Sequence, residues 1–297
     1  MPTLQRPAAF AALVVLVAAC GSSTPSGSPG ASAPPSGAPS STPILGPIDH
    51  ATGSTDVILR LEESGGFVPQ AFLATQAPIF TLYGDGTIIF RSPRLDPPPA
   101  VGSARPLRPF RIAHLSEAQI QATLALAVGE GGLGTARPNY PNDRVADAST
   151  AVFTLVAGGI RKTVSVYALG LEMDGVPDAL PRAAFAKLAE HLGDFDLRES
   201  IRTDVYAPER YRGILLDGQA GDPGVKRWPW ADLKPTDFVV PADANAAQLP
   251  VRVLTVAQVE ALGIQPYQGG IQGPTLIGPD GRFYAFSLRP LLPEESR

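Results

Sequence analysis

The sequence predicts an α+β fold: antiparallel sheet built from hairpins, with about three helices packed on one face. Three observations point there. Runs of β-favouring residues recur in pairs around Gly-containing turns, Ser/Thr-x-x-Gln helix starts fall between the pairs, and a hydrophobic content of 44% can furnish a core.

In chain order, the first strand candidate covers residues 57–62. Residues 79–83 and 87–90 follow as a hairpin around Gly84-Asp85-Gly86, because Asp-Gly tolerates the positive φ that such turns require. A second hairpin is expected from residues 150–156 and 162–167, turning at Gly158-Gly159. In its return strand Val164, Val166 and Ala168 alternate with Thr163, Ser165 and Tyr167, the pattern of a sheet packed on one face. The third joins residues 275–277 to 283–288 through Pro279-Asp280-Gly281.

Ser116 reads as a helix N-cap, with Gln119 completing a capping box and Leu115 stapling onto Ile120. Ile120, Leu124 and Val128 then recur on one face. Thr255 and Gln258 repeat the construction, with Leu262 one turn on and Gly263 as a stop. Another helix over about residues 181–191 turns Phe185, Leu188 and Leu192 inward and ends at Gly193. A seam at residues 197–203 divides the folded part into an α+β domain at 51–200 and a smaller α+β region at 201–297, either separate or packed with it as one unit.

The N-terminus carries Arg6, an apolar run over residues 8–17 and the small pair Ala18-Ala19, which are the three parts of a secretory signal at 1–19. The run is too short to span a bilayer, which takes about 20 apolar residues. Val17-Ala18-Ala19-Cys20 resembles the lipobox of bacterial lipoproteins. That resemblance implies lipidation of Cys20, which becomes the first residue of the mature chain, by a diacylglyceryl group and an N-acyl chain. Cys20 is also the sole cysteine, so no intramolecular disulfide competes for it. Attachment to a membrane through N-terminal lipid, at the outer face of the cytoplasmic membrane, is the expected address.

Residues 20–50 read as the lipidated cysteine and a tether. From Gly21 to Ile48 there is no charged or aromatic residue, only a Ser/Pro/Gly/Ala-rich stretch too polar to offset its ordering entropy. Disorder with a reach of roughly 30 to 90 Å is expected. Without Arg6 the chain holds 23 basic and 28 acidic residues, a net charge of −5, which argues against nucleic acid as a partner.

No nucleophile elbow, zinc signature or phosphate loop is present, and the three histidines, His50, His114 and His191, are scattered. Gly269-Gly270-Ile271-Gln272-Gly273 neither follows a strand nor opens a helix, so it reads as loop. No catalytic residue and no cofactor is assigned. Asn142, Asp143 and Asp147, in the polar loop NDRVADAS, are a calcium candidate by ligand type, with a solvated Asx-turn as the simpler reading. Tyr206, Arg210, Tyr211, Trp228 and Trp230 concentrate the residue types of recognition hot spots in loop-like sequence. Packing onto a sheet explains the same residues and is preferred.

The phrases GGFVPQAFLATQAPIFTLYGDGTIIF, DASTAVFTLVAGG, VYALG, WPWADL and FSLRPLLPEE, spread over most of the globular part, resemble a family of uncharacterised secreted proteins and lipoproteins of Actinobacteria and similar GC-rich bacteria. The resemblance implies export and brings no activity with it. The expected function is a noncatalytic binding or interaction protein of the cell envelope, with a protein, glycan or small-ligand partner. An envelope hydrolase with an unrecognised site ranks second, and an inhibitor or accessory subunit of an envelope enzyme third.

Overall fold

A computed structural model of the chain describes residues 46–91, 110–171, 175–219, 224–242, 248–264 and 273–296. The signal segment, Cys20 and most of the expected tether lie outside these residues, as do positions 269–272 of the glycine-rich stretch.

The strands form two sheets. The first contains β1 (Val57–Gly65), β2 (Phe80–Tyr83), β3 (Thr87–Arg91), β4 (Phe110–His114), β5 (Asn139–Tyr140), β6 (Ser149–Ala157), β7 (Ile160–Tyr167) and β8 (Asp204–Val205), in the order β5-β7-β6-β1-β2-β3-β4-β8. The second contains β9 (Arg210–Asp217), β10 (Lys226–Arg227), β11 (Val251–Thr255), β12 (Thr275–Ile277) and β13 (Phe283–Pro290), in the order β10-β12-β13-β9-β11. Among the described residues only the short pairs β5–β7 and β10–β12 are parallel. The fold is mixed α+β with mostly antiparallel sheet, and all three expected hairpins are present.

Local chemistry accounts for the turns. Gly158 and Gly159 both take positive φ, 59° and 73°, matching the turn to the strand twist of the β6–β7 hairpin. Gly84 serves a different need: a Cβ there would lie 2.2 Å from the Ala51 carbonyl oxygen, so only glycine lets the β2–β3 turn approach the incoming chain.

The helices are α1 (Gln70–Thr75), α2 (Glu117–Val128), α3 (Ala179–Gly193), α4 (Phe195–Arg198) and α5 (Val256–Glu260). At the head of α2 the Ser116 backbone N–H donates to Gln119 Oε1 at 2.9 Å, and at α5 the Thr255 and Gln258 groups bond reciprocally at 3.0 and 3.3 Å. α3 begins two residues before the expected start, because Pro181 sits in the first turn where no backbone N–H is needed.

Alternate residues of each strand face opposite ways. Leu59 and Leu61 of β1, Phe80 and Leu82 of β2, and Phe153 and Leu155 of β6 form one core with Ile120 and Leu124 of α2, Phe185, Leu188 and Leu192 of α3, and Phe195 of α4. Tyr83, Ile89 and Phe110, facing the other way, pack with Leu292 of the C-terminal tail and with Tyr206 and Tyr211. The expected helix at Thr255 packs elsewhere: Leu254 and Leu262 join Trp230, Phe238, Phe286 and Leu288 in a core of the second sheet. The helices thus divide between two cores.

Two expected boundaries shift. Ile48 exchanges hydrogen bonds with the Gln121 side chain at 2.7 and 2.9 Å, Asp49 O accepts from Gly158 N at 2.7 Å, and His50 bridges to Ala157, so residues 48–50 belong to the fold and not to the tether. At the seam, β8 pairs with β4 and Arg111 bonds Thr203, which keeps the chain on the first sheet as far as Val205. The described residues form one compact unit.

Candidate functional site

The site begins with the composition of α3. Phe185, Leu188 and Leu192 fill the core, while Ala186, Ala189 and Gly193 form a neighbouring stripe of small residues. Opposite that stripe the β1–β6 pair places Leu61 against Phe153 and Glu63 against Ala151. Side chains this small cannot close the gap between helix and sheet, and an open groove of about 300 Å³ results. Ile79 and Leu169 complete its apolar walls, and Glu63, Glu190, Ser149 and Gly170 add its polar positions.

The two carboxylates differ in their neighbours. Glu190 accepts from Arg198 Nη2 at 2.5 Å. No basic group among the described residues pairs with Glu63. Beyond Glu63 the chain turns through Gly65 and Gly66, both at positive φ, and the Phe67 N–H donates to Asp147 O at 3.0 Å, which holds this loop beside the strand preceding the groove. Phe67 itself is 88% exposed, and Leu171, which follows the groove-lining Gly170, is 54% exposed.

The opposite face of β1 carries a charged seam. Arg60 pairs with Glu294 of the tail, Tyr83 OH donates to the same carboxylate at 2.6 Å, and Arg289 grips Glu295 through both Nη atoms, one at 2.8 Å. Arg212 stands 3.6 Å from Glu295, and Tyr206 OH donates to Leu291 O at 2.8 Å. Burial would raise the Glu295 carboxyl, but the Arg289 bonds and charge, with help from Leu292 N–H and Arg212, hold it below its ordinary range. Glu62 goes the other way, because its burial outweighs the attraction of Arg60. Burial also pushes the Tyr83 and Tyr206 phenols upward, so both remain protonated donors. The seam joins both sheets to the tail and holds no nucleophile–base pair; it is a fastening.

The expected recognition residues do not share one exposed surface. Trp230 is only 7% exposed, with Nε1 donating to Gln258 O at 2.8 Å, and Trp228 Nε1 donates to Leu233 O at 2.6 Å. Their rings meet edge-on at 5.0 Å within the second core. Tyr211 packs between that core and the tail-side cluster, Tyr206 packs in the latter, and Arg210 is exposed at the start of β9.

In the calcium candidate, Asn142 is buried and its Oδ1 accepts from Arg144 N at 3.2 Å, the Asx-turn geometry, while Nδ2 is an N–H donor with no lone pair to offer a cation. Asp143 and Asp147 are exposed, and Asp147 O is taken by Phe67. Among the described residues no cluster of three or more His, Cys, Asp or Glu side chains could hold a metal ion, and no helix is long and apolar enough to cross a membrane.

The histidines are spoken for separately. His50 contacts Ala51 O at 2.7 Å and Glu117 at 3.3 Å, and His114 ends β4. His191 lies 3.4 Å from Glu199 and edge-on to Phe195, with burial drawing its pKa down against the pull of Glu199. None bonds a serine or threonine hydroxyl among the described residues. Sequence reasoning placed Phe185, Leu188 and Leu192 but missed the groove beside them; the signal was the Ala186, Ala189, Gly193 spacing. No family model matches the chain, and neither a curated protein nor a solved structure matches it.

Proposed function

We propose that this chain is a lipid-anchored protein of the cell envelope, held through Cys20 at the outer face of the cytoplasmic membrane, whose folded region binds a small apolar ligand without chemically altering it. The anchor rests on the lipobox-like Val17-Ala18-Ala19-Cys20 and the Ser/Pro/Gly tether. One observation supports the binding role: the groove of about 300 Å³ between α3 and the β1–β6 pair, apolar in its walls with a few polar positions, which is the usual make-up of a small-molecule site.

The test is calorimetric titration of 1-octanol into the secreted Cys20→Ser chain, which carries no lipid. Saturable binding at one site is expected, and Ala189→Trp, which fills the groove, is expected to abolish it. Undiminished binding to the Trp variant would remove the groove from the account. The hydrolase alternative has its own observation, two carboxylates lining one groove; release of product from a chromogenic glycoside or ester, lost in Glu63→Gln, would favour it over binding alone.

A further inference from the structure

We infer that Gly193 sets the ligand length of the groove between α3 and the β1–β6 pair, and that the groove takes one unbranched alkyl chain of about eight carbons. The inference rests on the binding reading above and adds to it the shape of the ligand and the residue that limits it.

Most glycines of this fold answer one of two needs. Gly170, on the same groove, has φ of 84°, a conformation that other residues rarely adopt. Gly84 instead passes so close to the Ala51 carbonyl that no Cβ fits. Gly193 answers to neither. Its φ lies outside the left-handed region, and a Cβ there would meet no atom within 4 Å. Among the described residues only Gly46, where the described chain begins, shares that combination. Glycine is also the poorest helix residue after proline, and Gly193 closes α3 without the left-handed cap that commonly calls for one.

The surroundings of Gly193 account for it. The residue is half-buried and lines the groove with Ala186 and Ala189, at the i, i+3 and i+7 positions of one helix face. The open space beyond its Cα is therefore the groove itself. Any side chain at this position would occupy the last turn of the path along α3.

The same spacing sets the ligand. Seven residues of α-helix, from Ala186 to Gly193, rise about 10 Å, the extended length of a chain of about eight carbons. Leu61, Ile79, Ala151 and Leu169 supply hydrocarbon to such a chain. A volume of about 300 Å³ is at the small end for ligand sites, which suits one chain and no bulky ring system. Each methylene buried there is worth about four-fold in affinity, a gain that stops once the chain outruns the walls.

The test is a homologous series, 1-hexanol, 1-octanol and 1-decanol, titrated into the secreted Cys20→Ser chain with methyl-detected NMR. Octanol is expected to bind about fifteen-fold more tightly than hexanol, and decanol no more than about two-fold more tightly than octanol. Gly193→Leu should leave hexanol within about two-fold of its original affinity while reducing the advantage of octanol over hexanol to about two-fold. Gly193→Ala, the mildest change, should cost octanol about four-fold and raise the melting temperature. Affinity that climbs without a break to decanol would overturn the length limit. An octanol advantage that survives Gly193→Leu, an equal loss for every alcohol, or a leucine variant that fails to fold would overturn the role of Gly193, while octanol binding to the parent chain kept the groove as a site. Absence of binding by every alcohol would overturn the groove reading as well.

Discussion

The Tyr83 hydroxyl donates to Glu294 at 2.6 Å, joining the centre of the first sheet to the C-terminal tail across more than two hundred residues of chain. Arg60 grips the same carboxylate, so Glu294 is held from two strands at once. Removing the phenol oxygen leaves the ring packed and deletes one hydrogen bond to a charged acceptor, an interaction worth about 1.5 to 3 kcal/mol. Tyr83→Phe is therefore expected to lower the stability measured by urea unfolding by that amount, with an unchanged m-value. No loss would mean that the tail is not fastened there.

The same seam makes a prediction about acid. The Glu295 carboxyl is depressed when folded, so it contributes stability above its unfolded pKa, near 4.3, and loses it as pH falls through the lower folded value. Glu295→Gln should destabilise at pH 7 and progressively less in acid. Glu62 has the opposite sign: its folded pKa is raised, so its charge costs stability at pH values above the folded pKa, and the cost fades toward the unfolded value. Glu62→Gln should therefore stabilise at pH 7, with the gain vanishing below about pH 4. Thermal unfolding of both variants from pH 3 to 8 checks the two slopes.

Trp230 distinguishes packing from recognition. Its ring contacts Phe286 at 5.8 Å and Phe238 at 6.5 Å, and its indole N–H is satisfied internally. Trp230→Ala is expected to cost about 3 to 5 kcal/mol, as loss of a large buried ring does. A variant that kept its full melting temperature but lost a binding partner would restore the recognition reading.

Cys20 carries the expected anchor. Cells expressing the wild-type chain and fed radioactive palmitate should yield a labelled protein in the membrane fraction, and Cys20→Ala should be unlabelled and released from the membrane. Label retained by the alanine variant would contradict the anchor.

Local signals made much of the fold legible. Gly158-Gly159 and the alternation through Val164, Val166 and Ala168 located a hairpin, and Ser116 with Gln119 located a helix start, because each acts through neighbours in sequence. Long-range choices left no such trace. Nothing near Arg182 announces that it is fully buried, donating to Tyr140 O, Pro141 O and Tyr167 O at 2.8, 2.8 and 3.0 Å, since its partners lie on other elements. The Thr255 helix was readable as a helix, but its assignment to the second core depended on where Trp230 and Phe286 meet it. The groove was hidden for the same reason. Ala186, Ala189 and Gly193 become a site only once β1 and β6 are set opposite them.

The most direct measurement is methyl-detected NMR of the secreted Cys20→Ser chain during titration with octanol. Progressive, saturable shifts concentrated on the methyls of Leu61, Ala151, Leu169, Ala186 and Ala189 are the predicted result. Shifts confined to the second core around Leu254 and Leu288, or scattered without saturation, would contradict a binding site between α3 and the first sheet.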